Sequence, residues 1–161
     1  MKTTILTLMI TFFLLGCNKN SEVENQFSIG VGIDLSIRND NGVDLLNPNN
    51  PESLNELDIK LFYLINENVE EVNYPNSDNP RGFTIYEHIS EYRIGISMNY
   101  SEAEEFPVTY VQWNEFDTDT LKCKIYRTNS LVTVEKVWLN DELIWDARDE
   151  VEPYYEMIKD Y

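Results

Sequence analysis

Histidine occurs once in this chain of 161 residues and cysteine twice, which leaves little material for histidine- or cysteine-centred catalysis. Cations are scarce as well. Twelve Lys and Arg stand against 29 Asp and Glu, a formal net charge of −17. A body this acidic does not suit sequence-independent binding of DNA or RNA, which depends on Lys and Arg displacing counterions from phosphate. The six glycines form no Gly/Ser linker. No G-x-S-x-G, H-E-x-x-H, Gly-rich phosphate loop or Cys/His zinc spacing occurs anywhere. These absences point away from an enzyme.

What is present begins with an address. Lys2 supplies a positive charge, and Ile5 to Leu15 is an apolar stretch of signal-peptide length, short for a permanent membrane span. It ends in Leu14-Leu15-Gly16-Cys17, which resembles the lipobox of bacterial lipoproteins. That resemblance implies a signal peptide over 1–16, cleavage before Cys17, and acylation of the Cys17 thiol and its new amine. Several acyl chains together hold a protein stably on a membrane. Residues 17–26, polar except for Val23, read as a lipidated tether. Its Glu22 and Glu24 are a thin version of an acidic surface-export run, so periplasmic and surface-facing placement on an outer membrane both stay open. If lipid takes Cys17, Cys123 is left alone, and the alternation Leu121-Lys122-Cys123-Lys124-Ile125 puts it on an apolar face as a buried thiol.

From Phe27 onward the pattern is short β-type runs separated by turn signals. Phe27 to Ile37 alternates Phe27, Ile29, Val31, Ile33, Leu35 and Ile37 on one face, with Gly30 and Gly32 opposite, where another segment could approach closely. Asn39-Asp40-Asn41-Gly42 predicts a tight turn, since Ile37 occupies the position a calcium loop would need for its first ligand. Hairpins are expected around Asn66-Glu67-Asn68 and around His88-Ile89-Ser90-Glu91. The segment 99–106 carries a loose capping box at Ser101 to Glu104 and is the one place for a short helical turn. About 8–9 short strands with turns at intervals of roughly 8 to 12 residues predict an all-β fold, an antiparallel β-sandwich of immunoglobulin-like architecture over residues 27–146. The acidic, Tyr-rich tail 147–161 is expected to be frayed or loosely docked.

Two constellations carry candidate chemistry. In Glu115-Phe116-Asp117-Thr118-Asp119 an extended chain would put the carboxylates of Glu115, Asp117 and Asp119 on one side. Their mutual repulsion would be relieved by a cation, and Ca²⁺ suits hard oxygen ligands outside the cytoplasm. The alternative is an acidic turn whose side chains bond their own backbone. The second constellation is aromatic. Trp113 shares a face with Thr109 and Val111 and Trp138 lies between Val137 and Leu139, so both suit the core, while Trp145 is the candidate ligand-binding platform.

Asp44-Leu45-Leu46-Asn47-Pro48, Trp113-Asn114-Glu115, Asp117-Thr118-Asp119-Thr120 and Val137 to Trp145 together resemble a group of small uncharacterised lipoproteins of Bacteroidetes-type bacteria. The resemblance implies lipidation at Cys17 and supplies no activity to carry over. The expectation is a non-enzymatic envelope lipoprotein, held to the membrane by its N-terminal lipid, with a protein or glycan partner and no nucleic acid. A basic partner would suit its charge. The alternative is an inhibitor or immunity-type lipoprotein acting on a basic envelope-targeting enzyme through an acidic wedge at Glu102 to Glu105.

Overall fold

The computed structural model of the protein describes residues 27–160. The expected signal segment 1–16, the expected lipidation residue Cys17 and the expected tether 17–26 lie outside the described residues. The described chain is all-β, with no α-helix. Its strands are β1 (Ser28–Gly30), β2 (Gly32–Arg38), β3 (Lys60–Ile65), β4 (Asn68–Glu71), β5 (Phe83–His88), β6 (Glu91–Ser97), β7 (Val108–Asn114), β8 (Asp117–Arg127), β9 (Leu131–Leu139), β10 (Glu142–Asp146) and β11 (Tyr154–Ile158).

The strands form two mixed sheets. The larger has the order β1-β9-β8-β7-β3-β4, with β10 also pairing β9, and the smaller has the order β11-β2-β6-β5. Most pairs are antiparallel, as expected, but β1 runs parallel to β9 and β11 parallel to β2. Both parallel pairs arise because the chain changes sheet near its ends. Val31 separates β1, in the large sheet, from β2, in the small one. This corrects the single strand expected over 27–37. Val31, Ile33, Leu35 and Ile37 are buried, but Phe27 and Ile29 are exposed, because β1 is a three-residue edge strand that turns them to solvent.

The turns follow local chemistry. Asn66-Glu67 and Asn140-Asp141 take positive φ at both central positions, the backbone that matches the twist of a two-residue hairpin. The Asn39 side chain accepts hydrogen bonds from the amides of Asn41 and Val43, and Gly42 has a φ of 77°. The helical turn expected near 101–104 is absent. That loop is instead fastened by Asn99, whose amide group donates to the carbonyls of Leu64 (2.8 Å) and Val108 (3.2 Å).

The inward residues of both sheets form one hydrophobic cluster. Leu35, Ile37, Ile94 and Ile96 come from the small sheet, and Leu61, Val111, Trp113, Leu121 and Val137 from the large one. Burying one such aliphatic side chain contributes about 1.5–3 kcal/mol, so this shared layer is what holds the sheets together. The tail is part of it. Met157 of β11 is buried in the cluster and Tyr155 packs against it. The expected frayed tail is therefore corrected over 154–158, where alternation of Tyr155 and Met157 with polar residues supplies an inward face.

Candidate functional site

The acidic segment comes first, since the sequence singles it out. Strand β8 alternates as expected, and Asp117 and Asp119 turn to the same side as Leu121 and Cys123. Glu115 does not join them. It sits in the turn between β7 and β8, exposed, beside Phe116 and across a surface groove from Leu57 and Asp58. The cation that relieves Asp117 and Asp119 is internal. Lys159, just past β11, places its Nζ 2.6 Å from Asp117 Oδ2 and 2.7 Å from Asp119 Oδ2. The same ammonium lies 5.4 Å from the centre of the Trp113 ring. Asp119 Oδ2 also accepts from Trp113 Nε1 at 2.6 Å, and Asp119 Oδ1 from Asn140 Nδ2 at 2.7 Å. Burial works against the Asp119 charge, but donors from Lys159, Asn140 and Trp113 outweigh it and hold the carboxyl below the usual Asp range. Among the described residues no three His, Cys, Asp or Glu side chains are placed to share a metal ion. The expected Ca²⁺ triad of Glu115, Asp117 and Asp119 is thus replaced by a lysine bridge between the two sheets.

Trp145 is also corrected. It is only 8% exposed, and its Nε1 donates to the Val151 carbonyl at 3.1 Å, so the chain following β10 covers it. Trp113 is buried as expected. Trp138 is half-buried, with its ring edge-to-face against Phe106 at 5.8 Å. Cys123 is free and buried, its thiol pushed up to about 12 by burial. His88 stands at the end of β5, edge-on to Tyr86 at 6.4 Å.

The feature that sequence reasoning missed is the outer face of the small sheet. Alternation turns Gly32, Asp34 and Ser36 of β2 outward, together with Tyr86 and His88 of β5, Arg93, Gly95 and Ser97 of β6, and Tyr154 of β11. Their side chains are locked by one another. Arg93 Nε donates to Glu91 Oε1 (2.7 Å) while its guanidinium lies 3.9 Å over the Tyr154 ring. Arg38 bridges Glu91 and Glu156, at 3.0 Å each. The Ser36 and Tyr154 hydroxyls are 2.8 Å apart. Glu91 is penalised by burial, yet the two arginines hold its carboxyl below the usual range. Tyr86 donates its hydroxyl to Asp34 Oδ2 at 2.5 Å, and burial, then the Asp34 carboxylate, push the phenol up to about 12.

Comparison with protein-family models, with curated proteins and with solved structures finds no match. The site is therefore read from its own chemistry. Beside the locked network lies an open groove of about 410 Å³, lined by Gly32, Asp34, His88, Arg93, Gly95 and Pro153 among others. Gly32, paired with Ser97, and Gly95, paired with Asp34, sit diagonally across β2 and β6 on this face, and the signal for it in the sequence was their placement on the polar faces of two apolar-alternating strands.

Proposed function

We propose that this protein is a lipid-anchored component of a bacterial cell envelope that binds a partner without catalysis, through the outer face of its small sheet. Lipidation at Cys17 and cleavage after Gly16 rest on the Leu14-Leu15-Gly16-Cys17 resemblance. On this reading the body is a β-sandwich of immunoglobulin-like architecture. The single cluster shared by both sheets and the strand that changes sheet at Val31 support that description.

The observation that carries the binding reading is the contrast between two polar clusters. The acidic cluster is closed by Lys159, whereas the groove at Gly32 is lined by Asp34 and Arg93, each fixed by a neighbour, and by the His88 imidazole. The test has two arms in the native host. Labelled palmitate should enter the chain and be lost in Cys17→Ser. The lipidated chain should retain a partner from envelope extract, and Ser97→Trp, an exposed position in the groove, should release it. Failure of labelling removes the anchor, and retention of no partner at low or high salt removes the binding role.

A second reading has its own observation. Glu102, Ala103 and Glu105 are exposed on the loop between β6 and β7, beside Phe106. An acidic loop of this kind suits a wedge against a basic envelope-targeting enzyme. Charge reversal at Glu102 and Glu105 should abolish inhibition of a lysozyme-like enzyme, and an inhibition that survives reversal removes this reading.

A further inference from the structure

The groove on the small sheet can be assigned a ligand class from its atoms. Its floor is β2 and β6, with bare backbone at Gly32 and, at Gly95, the Asp34 carboxylate and the Tyr86 ring lying over the chain. Asp34 and Gly95 are register partners, and a Cβ on Gly95 would stand 3.0 Å from Asp34 Oδ1, so that oxygen lies over the floor. Its companion Oδ2 is taken by the Tyr86 hydroxyl. Among the described residues nothing donates a hydrogen bond to Asp34 Oδ1, and the two terminal nitrogens of Arg93 and both ring nitrogens of His88 make none. Arg93 is nevertheless fixed, by Glu91 on one side and the Tyr154 ring on the other. The wall opposite His88 is Glu152 and Pro153, whose carbonyl accepts from the Asp34 amide at 2.9 Å. Gly32, Ser97, Glu152 and Pro153 also line a second groove of about 520 Å³, which runs on to Ile29, Tyr100 and Thr133.

Three ligand chemistries are excluded by this arrangement. β2 and β6 are the interior strands of their sheet and both have hydrogen-bonded neighbours, so no peptide strand can be added there. A simple anion would be opposed by Asp34 and Glu152, and a simple cation by Arg93. An apolar ligand would strip water from all three and from His88. A neutral polyol fits them all, because each hydroxyl both donates and accepts. An open, continuous groove suits an extended chain of sugar rings, and the bare backbone at Gly32 lets a ring lie against the sheet there. We propose that this groove binds a neutral oligosaccharide, with Asp34 Oδ1 as acceptor for ring hydroxyls and Arg93 and His88 as donors. This rests on the binding reading above and names its ligand class.

The test uses the full lipidated chain in detergent micelles against an array of neutral linear glucans, mannans, xylans and galactans, with zwitterionic dipeptides as a second arm. The best array ligand is then titrated by calorimetry. Binding of a neutral oligosaccharide is expected. Asp34→Asn, which keeps an acceptor for Tyr86 but changes the groove acceptor, should weaken it about tenfold. Ser97→Trp, at an exposed position, should block it with an unchanged melting temperature, and Phe116→Ala, outside the groove, should leave it intact. Binding of no oligosaccharide, binding of dipeptides in their place, or full affinity in Ser97→Trp overturns the proposal. If envelope extract still supplies a partner that Ser97→Trp releases while the array is silent, the glycan assignment fails and the binding reading stands.

Discussion

Lys159 Nζ lies 2.7 Å from Asp119 Oδ2, and this contact joins the end of the last strand in one sheet to the start of β8 in the other. Both side chains are about nine-tenths buried. Removing one partner of a buried pair leaves the other charge uncompensated, at a cost of about 3–5 kcal/mol. Lys159→Met should therefore lower the unfolding free energy read from urea melts by an amount of that order, with Asp119→Asn alone also destabilising. The double variant should show a coupling energy of about 0.5–3 kcal/mol. Additive effects of the two single changes would show that the bridge contributes nothing beyond packing.

Calcium should not stabilise the protein through this segment. The lysine ammonium stands where a cation would have to enter, and Glu115 is turned away into solvent. Thermal melts with excess Ca²⁺ and with chelator should therefore coincide, because a ligand raises the melting temperature only by binding the native state better than the unfolded one. A rise that chelator reverses would return the acidic segment to the metal sites.

Acid should unfold the chain from below the ordinary carboxylate range. Asp119 and Glu91 both have folded values below their unfolded ones. A depressed value means that the unfolded chain takes up protons first as pH falls. The stability these groups contribute is then complete well above about pH 4 and is lost progressively as pH drops below it. Urea unfolding between neutrality and pH 3 should show stability falling with acid, and Asp119→Asn should flatten the slope. A wild-type profile unchanged between pH 5 and pH 3 would contradict it.

The thiol of Cys123 should be silent in the native protein. Its Sγ is buried, 3.4 Å from the Asn99 carbonyl, and its value near 12 keeps thiolate scarce at any physiological pH. A disulfide reagent at pH 8 should react with it only at the rate of global unfolding and fully in denaturant. Rapid reaction under native conditions would mean that the 99–107 loop opens on its own.

Local alternation made much of this legible. The run from Val31 to Ile37, the hairpins at Asn66-Glu67 and Asn140-Asp141, and the burial of Trp113 and Cys123 all follow from neighbours close in sequence. The misses that matter for the site are long-range. Lys159 meets Asp117 across 42 positions, and β11 meets β2 across 120, as Tyr154 pairs with Asp34. No local pattern records such pairings, so the acidic segment looked short of a cation and the tail looked loose. The groove escaped for a related reason. Gly32 reads in sequence only as a place of close approach and Gly95 gives no signal of its own, and only the pairing of β2 with β6 brings the two onto one face.

Trp145 provides a fluorescence test of the same tail. Its indole is covered by the segment leading to β11 and bonded to the Val151 carbonyl, and Trp113 lies beneath Lys159. Both rings should therefore be shielded from a water-soluble quencher, leaving Trp138, half-buried against Phe106, as the accessible one. In Trp138→Phe the remaining emission should resist iodide almost entirely. Adding Lys159→Met to that background loosens the strand that follows Val151 and should raise quenching at concentrations of urea too low to unfold the chain. If iodide quenches Trp138→Phe as strongly as the parent, the cover over Trp145 is open in solution and the residue returns as a candidate binding surface. Trp145→Phe distinguishes cover from packing, because it keeps most of the ring but deletes the N–H. Its expected cost is about 0.5–1.5 kcal/mol for the lost hydrogen bond, well short of the 3–5 kcal/mol for removing a buried tryptophan side chain outright.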